Sequence, residues 1–310
     1  RSRTAYRRRV NKIMAAPERL IDGHVHLASS RCIPRAFFEG VAQNMRVEML
    51  AKSPVAGLAP PLDNIIEMML ANYQDHMGDK LIAEMDSANV ESGVLLAPDF
   101  TYVMESAFSI EEIAQQHAQV MQKHPGRFHV LQGIDPRTGQ KGHDFFENTI
   151  TQHGFSGLKV YPPCGFSPSD KSMYPLYEIC RTYQLPVLLH TGPTSPSLSF
   201  DKANPYLIDQ AAMDFPDVNF ILAHGGVNFV EEAILMSKYR PNVYLDISGF
   251  VQSRHPQGWK QHLAELFQLG MSHKIIFGTD WPVFGGREGM AFLFTEIFGE
   301  GSPIAAVPSA

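Results

Sequence analysis

Eight short apolar runs, each followed by a stretch with helical periodicity, constrain this chain more than any other feature of its sequence. The runs lie near 19–26, 93–98, 127–134, 157–161, 186–190, 219–224, 242–247 and 274–280, and they are rich in β-branched and aliphatic residues. Amphipathic stretches fill 79–89, 109–124, 143–153, 172–183, 205–215, 229–239, 259–269 and 287–298. A strand-then-helix unit repeated eight times predicts an α/β protein with a parallel sheet, closed as a (β/α)8 TIM barrel. The 310 residues allow one such barrel.

The spacing breaks once, between the first strand and the first helix. Residues 27–78 read as an inserted, partly helical region over the barrel mouth, either a substrate lid or a peripheral packing element. The barrel is expected over 20–300, with 301–310 as a tail. The arginine-rich 1–19 is expected to be a basic leader, with added sequence or an extended start ahead of Met14 preferred to a transit peptide. No apolar h-region of a secretory signal follows it.

Composition narrows the function classes. A formal net charge of -6 with 19% charged residues gives no basic face for a nucleic acid or an anionic membrane. No apolar run approaches the roughly 20 residues that span a bilayer. Cys32, Cys164 and Cys180 lie far apart, without the short pairings of a zinc ribbon or disulfide framework, which fits a reducing, cytoplasmic setting. The expected partner is a small-molecule substrate; the oligomeric state is open, a homodimer being one option.

Polar residues at the strand ends carry the chemistry, because the C-terminal edge of a barrel is its active face. His24 and His26 end the first strand, and period-two alternation turns both to the same side, where one ion can bind both imidazoles. Alone, a His-X-His pair is a weak signal. His190 and His224 end apolar runs close to glycines; each alone reads as a core histidine, but together with the first pair they read as ligands. Asp280 ends Lys274-Ile-Ile-Phe-Gly-Thr-Asp, where an unpaired buried carboxylate costs several kcal/mol unless a cation or donors compensate. Its alternative is an N-cap for the last helix, which Trp281-Pro282 delays.

Lys159 reads three ways: carboxylated to bridge two metals, a free ammonium holding a substrate carboxylate, or a structural ion-pair lysine. Asp99 and Asp135 end the second and third strands as supporting or substrate-contacting groups, with loop caps the stronger alternative. Tyr161, Arg137 and Trp281 are the candidate substrate contacts, and for Arg137 a surface salt bridge is the stronger alternative.

The ordered set Ile21-Asp-Gly-His-Val-His, Gly157-Leu-Lys-Val-Tyr-Pro, Pro186-Val-Leu-Leu-His-Thr-Gly, Phe220-Ile-Leu-Ala-His-Gly-Gly and Ile276-Phe-Gly-Thr-Asp-Trp-Pro resembles the amidohydrolase superfamily, in its amidohydrolase-2 branch. That branch includes decarboxylases similar to the aminocarboxymuconate semialdehyde enzyme, and lactone hydrolases. The resemblance implies that His24, His26, His190 and Asp280 hold one divalent metal, zinc first and manganese second, with His224 catalytic. A carboxylated Lys159 would instead imply two metals, with His190 and His224 taking the second.

On this reading a zinc-bound water, its pKa lowered to about 7, supplies hydroxide at neutral pH. His224 stabilises the oxyanion and Asp280 shuttles the proton to the leaving group. The expected function is hydrolysis of a small carboxylated or cyclic ester or amide of lactone type. The alternative is a metal-dependent non-oxidative decarboxylase of an aromatic or unsaturated acid, a lyase. A third possibility is a non-catalytic metal-binding barrel.

Overall fold

The computed structural model describes residues 20–53, 58–249, 259–283 and 289–298. The leader at 1–19 and the tail at 301–310 lie outside the described residues, as does part of the last predicted helix. The eight expected runs become eight parallel strands in one sheet, in chain order: β1 (Leu20–His26), β2 (Val90–Ala97), β3 (Phe128–Gly133), β4 (Gly157–Val160), β5 (Val187–Leu189), β6 (Phe220–Leu222), β7 (Val243–Asp246) and β8 (Ile275–Ile276). Helices fall between them: α1 (Arg35–Lys52), α2 (Leu62–Ala71), α3 (Asp79–Ser87), α4 (Ile110–Lys123), α5 (Gln140–His153), α6 (Tyr174–Tyr183), α7 (Asp209–Asp214), α8 (Val230–Tyr239), α9 (Trp259–Gln268) and α10 (Gly289–Phe298). This is the (β/α)8 barrel. Among the described residues no helix is long and apolar enough to cross a membrane.

Local chemistry explains several boundaries. Ser109 starts α4 through a capping box, accepting from the Glu112 backbone N–H while the Glu112 carboxylate accepts from the Ser109 N–H. The stretch 205–215, expected as one helix, divides into a 3-10 turn and the short α7. Pro205 opens the turn and the Asn204 side chain accepts from Tyr206 N–H, so the first part stays tight.

The last strand departs most from expectation. Strand 274–280 is predicted, but only Ile275 and Ile276 pair with β7. Beyond them the chain crosses to β1 and closes the barrel irregularly. Phe277 O accepts from Gly23 N–H at 2.8 Å, Asp280 N–H donates to His24 O at 2.7 Å, and Trp281 O accepts from His26 N–H at 2.8 Å. Asp22 clamps this seam, accepting from Thr279 Oγ1 at 2.6 Å and from Thr279 N–H at 3.0 Å. Gly278 fits here because a Cβ would stand 2.7 Å from Asp246 Oδ1 and 2.8 Å from His24 Cβ.

The insertion after β1 is helical, as expected, and α1 and α2 pack on each other around Phe38, Ala42, Ile65 and Ile66. It is fastened to the loop after β5. Ser195 Oγ donates to Phe37 O at 2.8 Å, Ser197 Oγ donates to Ala36 O at 3.2 Å, and the Phe37 ring lies 5.2 Å from that of Phe100.

Candidate active site

The C-terminal ends of β1, β4, β5, β6 and β7, with the segment after β8, bring a buried polar cluster into the barrel. His24 and His26 share the inner face of β1, and both are buried. His24 Nδ1 meets the Asp246 carboxylate at the end of β7, and His26 Nδ1 meets Leu96 O at 3.2 Å. Each contact fixes a tautomer, since an Nδ1 facing an oxygen acceptor must carry the hydrogen. In the neutral form of each ring, Nε2 then presents the lone pair.

Those lone pairs converge with a third. His24 Nε2 and His26 Nε2 are 3.2 Å apart, and Asp280 Oδ1 lies 3.2 Å from the first and 3.1 Å from the second. Asp280 Oδ1 is buried and makes no aligned hydrogen bond. Three acceptors at this spacing repel unless a proton or a cation stands among them. Ligand bonds of about 2.0–2.2 Å to zinc put neighbouring donor atoms about 3.0–3.4 Å apart, so the triad fits a divalent metal. His24, His224 and Asp280 form an overlapping group with donor atoms within 4.8 Å of one another.

His190 and His224 form the second half of the site. His190 Nε2 donates to Pro193 O at 2.9 Å, so its Nδ1 is the lone-pair nitrogen and faces His224 Nε2 at 3.3 Å. For neutral His224 that order favours the hydrogen on Nε2; its Nδ1 lies 3.0 Å from Ser248 Oγ and 3.3 Å from Ser248 O, and the same hydroxyl also reaches Asp246 Oδ2 at 3.0 Å. In this conformation His190 stands one imidazole away from the His24–His26–Asp280 triad.

Electrostatics separates the rings. Burial would lower His24, but the Asp246 and Asp280 carboxylates overcome it and hold the ring up to about 9. Burial depresses His26, holds His190 well below the usual range with help from His224, and holds His224 down to about 4. For Asp280, burial pushes upward, yet His24 and its other imidazole neighbours keep the carboxyl well below the ordinary range. Burial lowers the Lys159 ammonium to about 8 against the pull of Asp280 and Asp246.

Two of the site residues sit in strained backbone. His224 has φ 62° and Asp280 has φ 58°, the left-handed region that non-glycine residues seldom adopt and that costs about 1–3 kcal/mol. Asp280 is not a helix cap, since α10 begins only at Gly289.

The remaining candidates divide. Tyr161 stacks on His190 with centroids 4.2 Å apart, and its hydroxyl bonds Thr194 Oγ1 at 2.8 Å. Arg137 is turned to its own loop, paired with Asp135, bonded to Cys164 O at 2.9 Å and stacked over Tyr102. Trp281 is buried in the β1 seam. Asp99 and Asp135 cap their loops, accepting from Thr101 N–H and Arg137 N–H. Sequence reasoning missed Asp246 and Ser248. Asp246 was findable, because it too is a carboxylate ending an apolar strand.

A closed barrel with an acidic and imidazole cluster at its C-terminal mouth defines a metal-binding α/β-barrel protein. Residues 21–296 match the amidohydrolase family model, and the chain belongs to that family, in its amidohydrolase-2 branch. The Protein fluG of Emericella nidulans is 27% identical over 99 residues, which are 32% of this chain; the chain spans only 11% of that relative's length. Among solved structures the chain is similar to the 5-carboxyvanillate decarboxylase of Sphingomonas paucimobilis (TM-score 0.59, 17% identity, 94% of each chain). It is also similar to a probable 2-pyrone-4,6-dicarboxylic acid hydrolase of Acinetobacter baumannii (0.54, 16%, 85% of this chain and 84% of that one). A dihydroxybenzoic acid decarboxylase of Polaromonas, solved with manganese, is comparable (0.54, 17%, 84% and 87%). At these identities the likeness is one of fold.

Proposed function

We propose that the chain is a metal-dependent hydrolase of a small carboxylated or cyclic ester or amide. The observation that carries this reading is the convergence of His24 Nε2, His26 Nε2 and Asp280 Oδ1 at ligand spacing, three atoms that can all act as ligands once a cation replaces the proton that the carboxylates hold on His24. His190 would join them as fourth ligand through Nδ1, the nitrogen that Pro193 O leaves as an acceptor, by giving up its contact with His224 Nε2. Two or three imidazoles with one carboxylate suit zinc first, and manganese is the alternative. A bound divalent ion supplies Lewis acidity and a water of pKa about 7.

The protein's own groups do the rest. His224, neutral through burial and carrying its hydrogen on Nε2, donates to the oxygen that becomes negative in the transition state. Ser248 holds that ring by its other nitrogen. Asp280 would take the proton released by the attacking water and pass it to the leaving group. The buried setting keeps bulk water out and strengthens each of these interactions.

Product analysis tests the reading directly. Purified, metal-loaded protein is assayed against lactones and cyclic amides bearing a carboxylate, with metal per chain measured in parallel. A ring-opened product heavier by one water supports hydrolysis. Release of CO2 without water addition makes the protein a decarboxylase on the same site, and the absence of bound metal removes both readings.

A further inference from the structure

Among the described residues two lysines are buried, and the fold treats them differently. Lys274, near the N-terminal rim, donates its ammonium to Arg240 O at 3.2 Å, Pro241 O and Val243 O at 3.1 Å, and covers the Tyr244 ring at 4.5 Å. That is a structural lysine with its three hydrogens accepted. Lys159, at the mouth, is 1% exposed and its Nζ has no hydrogen-bond partner; among the described residues no carboxylate oxygen reaches it at ion-pair distance. Leaving a dry ammonium unanswered costs several kcal/mol, and natural folds reserve that for groups that a ligand will answer.

The surroundings say what that ligand is. Lys159 stands on β4 in register with Gly133 of β3 and Leu188 of β5, and its charge is felt by His24, His26, His190 and His224, so it faces the middle of the cluster. The Tyr161 ring, 6.0 Å from Nζ, and Phe100, edge-on to Tyr161 at 4.8 Å, supply a flat apolar wall beside it. With one divalent ion bound, Asp246 and Asp280 offset the ion's two charges. Lys159 is then the unbalanced charge, and one anionic group satisfies it.

We propose that Lys159 is a specificity-determining residue that holds the carboxylate of a monoanionic substrate while the reacting carbonyl lies at the His24–His26–Asp280 triad. The inference rests on the hydrolase reading for the placement of that carbonyl, and the carboxylate contact is tested separately from turnover. A carboxylated Lys159 would set a third anion beside Asp246 and Asp280 and would need a second ion.

The experiment is calorimetric titration of metal-loaded wild type, Lys159→Met and Lys159→Arg with benzoate and with its uncharged counterpart benzamide, alongside metal analysis and melting curves. The Met variant should keep its metal, melt at a higher temperature because an orphan charge is gone, and lose about ten- to a hundredfold in benzoate affinity with benzamide unchanged. The Arg variant should retain most of the benzoate affinity. Equal benzoate binding in wild type and Lys159→Met overturns the proposal, as does a wild type that shows no saturable benzoate binding. A metal content near two per chain that falls in the Met variant overturns it in favour of a bridging lysine. Wild type that binds no metal refutes the hydrolase reading itself, and that result is distinct from loss of benzoate binding by a loaded protein.

Discussion

β1 and the segment after β8 lie side by side in the barrel and deliver their site residues in opposite ways. β1 is a seven-residue strand whose ordinary alternation turns His24 and His26 inward together. β8 has two paired residues, after which the chain abandons β7, bonds to β1 and turns left-handed at Asp280. The two imidazoles sit on a strand paired with β2, whose register shifts once between Asp22 and Val25. The carboxylate they meet is held by strain, by the Asp22–Thr279 clamp and by the absence of a Cβ at Gly278. The β1 side of the triad is therefore robust to local change, and the β8 side is where it should fail first.

The largest expected effect breaks that weaker side. Asp280→Asn keeps size and hydrogen-bonding capacity but removes the anion that faces two lone pairs. Metal affinity and turnover should fall by more than about a hundredfold, beyond the range seen for groups that only support a ligand. Metal per chain after dialysis, with a chelator competition, measures it. Full occupancy in the variant would mean that the histidines alone hold the ion, and the contrast between the two segments would vanish.

Acid stability probes the regular side instead. His117, on α4 against the barrel, donates from Nδ1 to Ile113 O at 2.7 Å, and burial lowers it to about 4. An unfolded histidine takes its proton near 6.5, so between about 6.5 and 4 the unfolded chain binds the proton and the folded one does not. Stability from this residue is complete above 6.5, falls as pH drops towards 4, and is level below. The loss is on the order of 3 kcal/mol at 1.36 kcal/mol per unit. Urea unfolding at pH 7.5 and 4.5 should show His117→Gln losing less on acidification by about that amount; an identical acid loss would contradict the sign.

Asp246→Asn tests how far β1 depends on its neighbour. The carboxylate fixes the His24 hydrogen on Nδ1 and so aims Nε2 at the triad. An amide in its place should weaken metal binding about 10- to 100-fold with little change in melting temperature. Loss of fold without change in metal affinity would make Asp246 a core residue only.

The same contrast explains what the sequence could tell. The eight strands, the histidine pair on β1 and the insertion were legible because periodicity and spacing are local properties. His190, His224 and Asp280 were legible as positions at strand ends. Their arrangement was not, because two of them adopt left-handed backbone and one lies where strand pairing switches partner, and no window of sequence encodes a contact 256 residues away between His24 and Asp280. Arg137 drew notice for its chemistry, yet Asp135 two residues earlier already engages it. Asp246 was legible as a carboxylate at a strand end, but its pairing with His24, at the other end of the chain, was not.

The smallest effect concerns the insertion and sharpens the comparison at the mouth. Ser195, itself buried, ties the loop after β5 to α1 through Phe37 O. Removing the hydroxyl in Ser195→Ala should cost about 1 kcal/mol of stability, the usual worth of one such bond. If α1 and α2 only brace the barrel, melting temperature moves and kinetics do not. If they close over the substrate, the loosened hairpin also binds it less well, and KM rises by about fivefold, the same 1 kcal/mol read as affinity, while kcat stays level. A steady-state comparison of wild type and Ser195→Ala, with melting curves taken on the same preparations, separates a lid from a brace because only the lid couples the hairpin's attachment to substrate affinity.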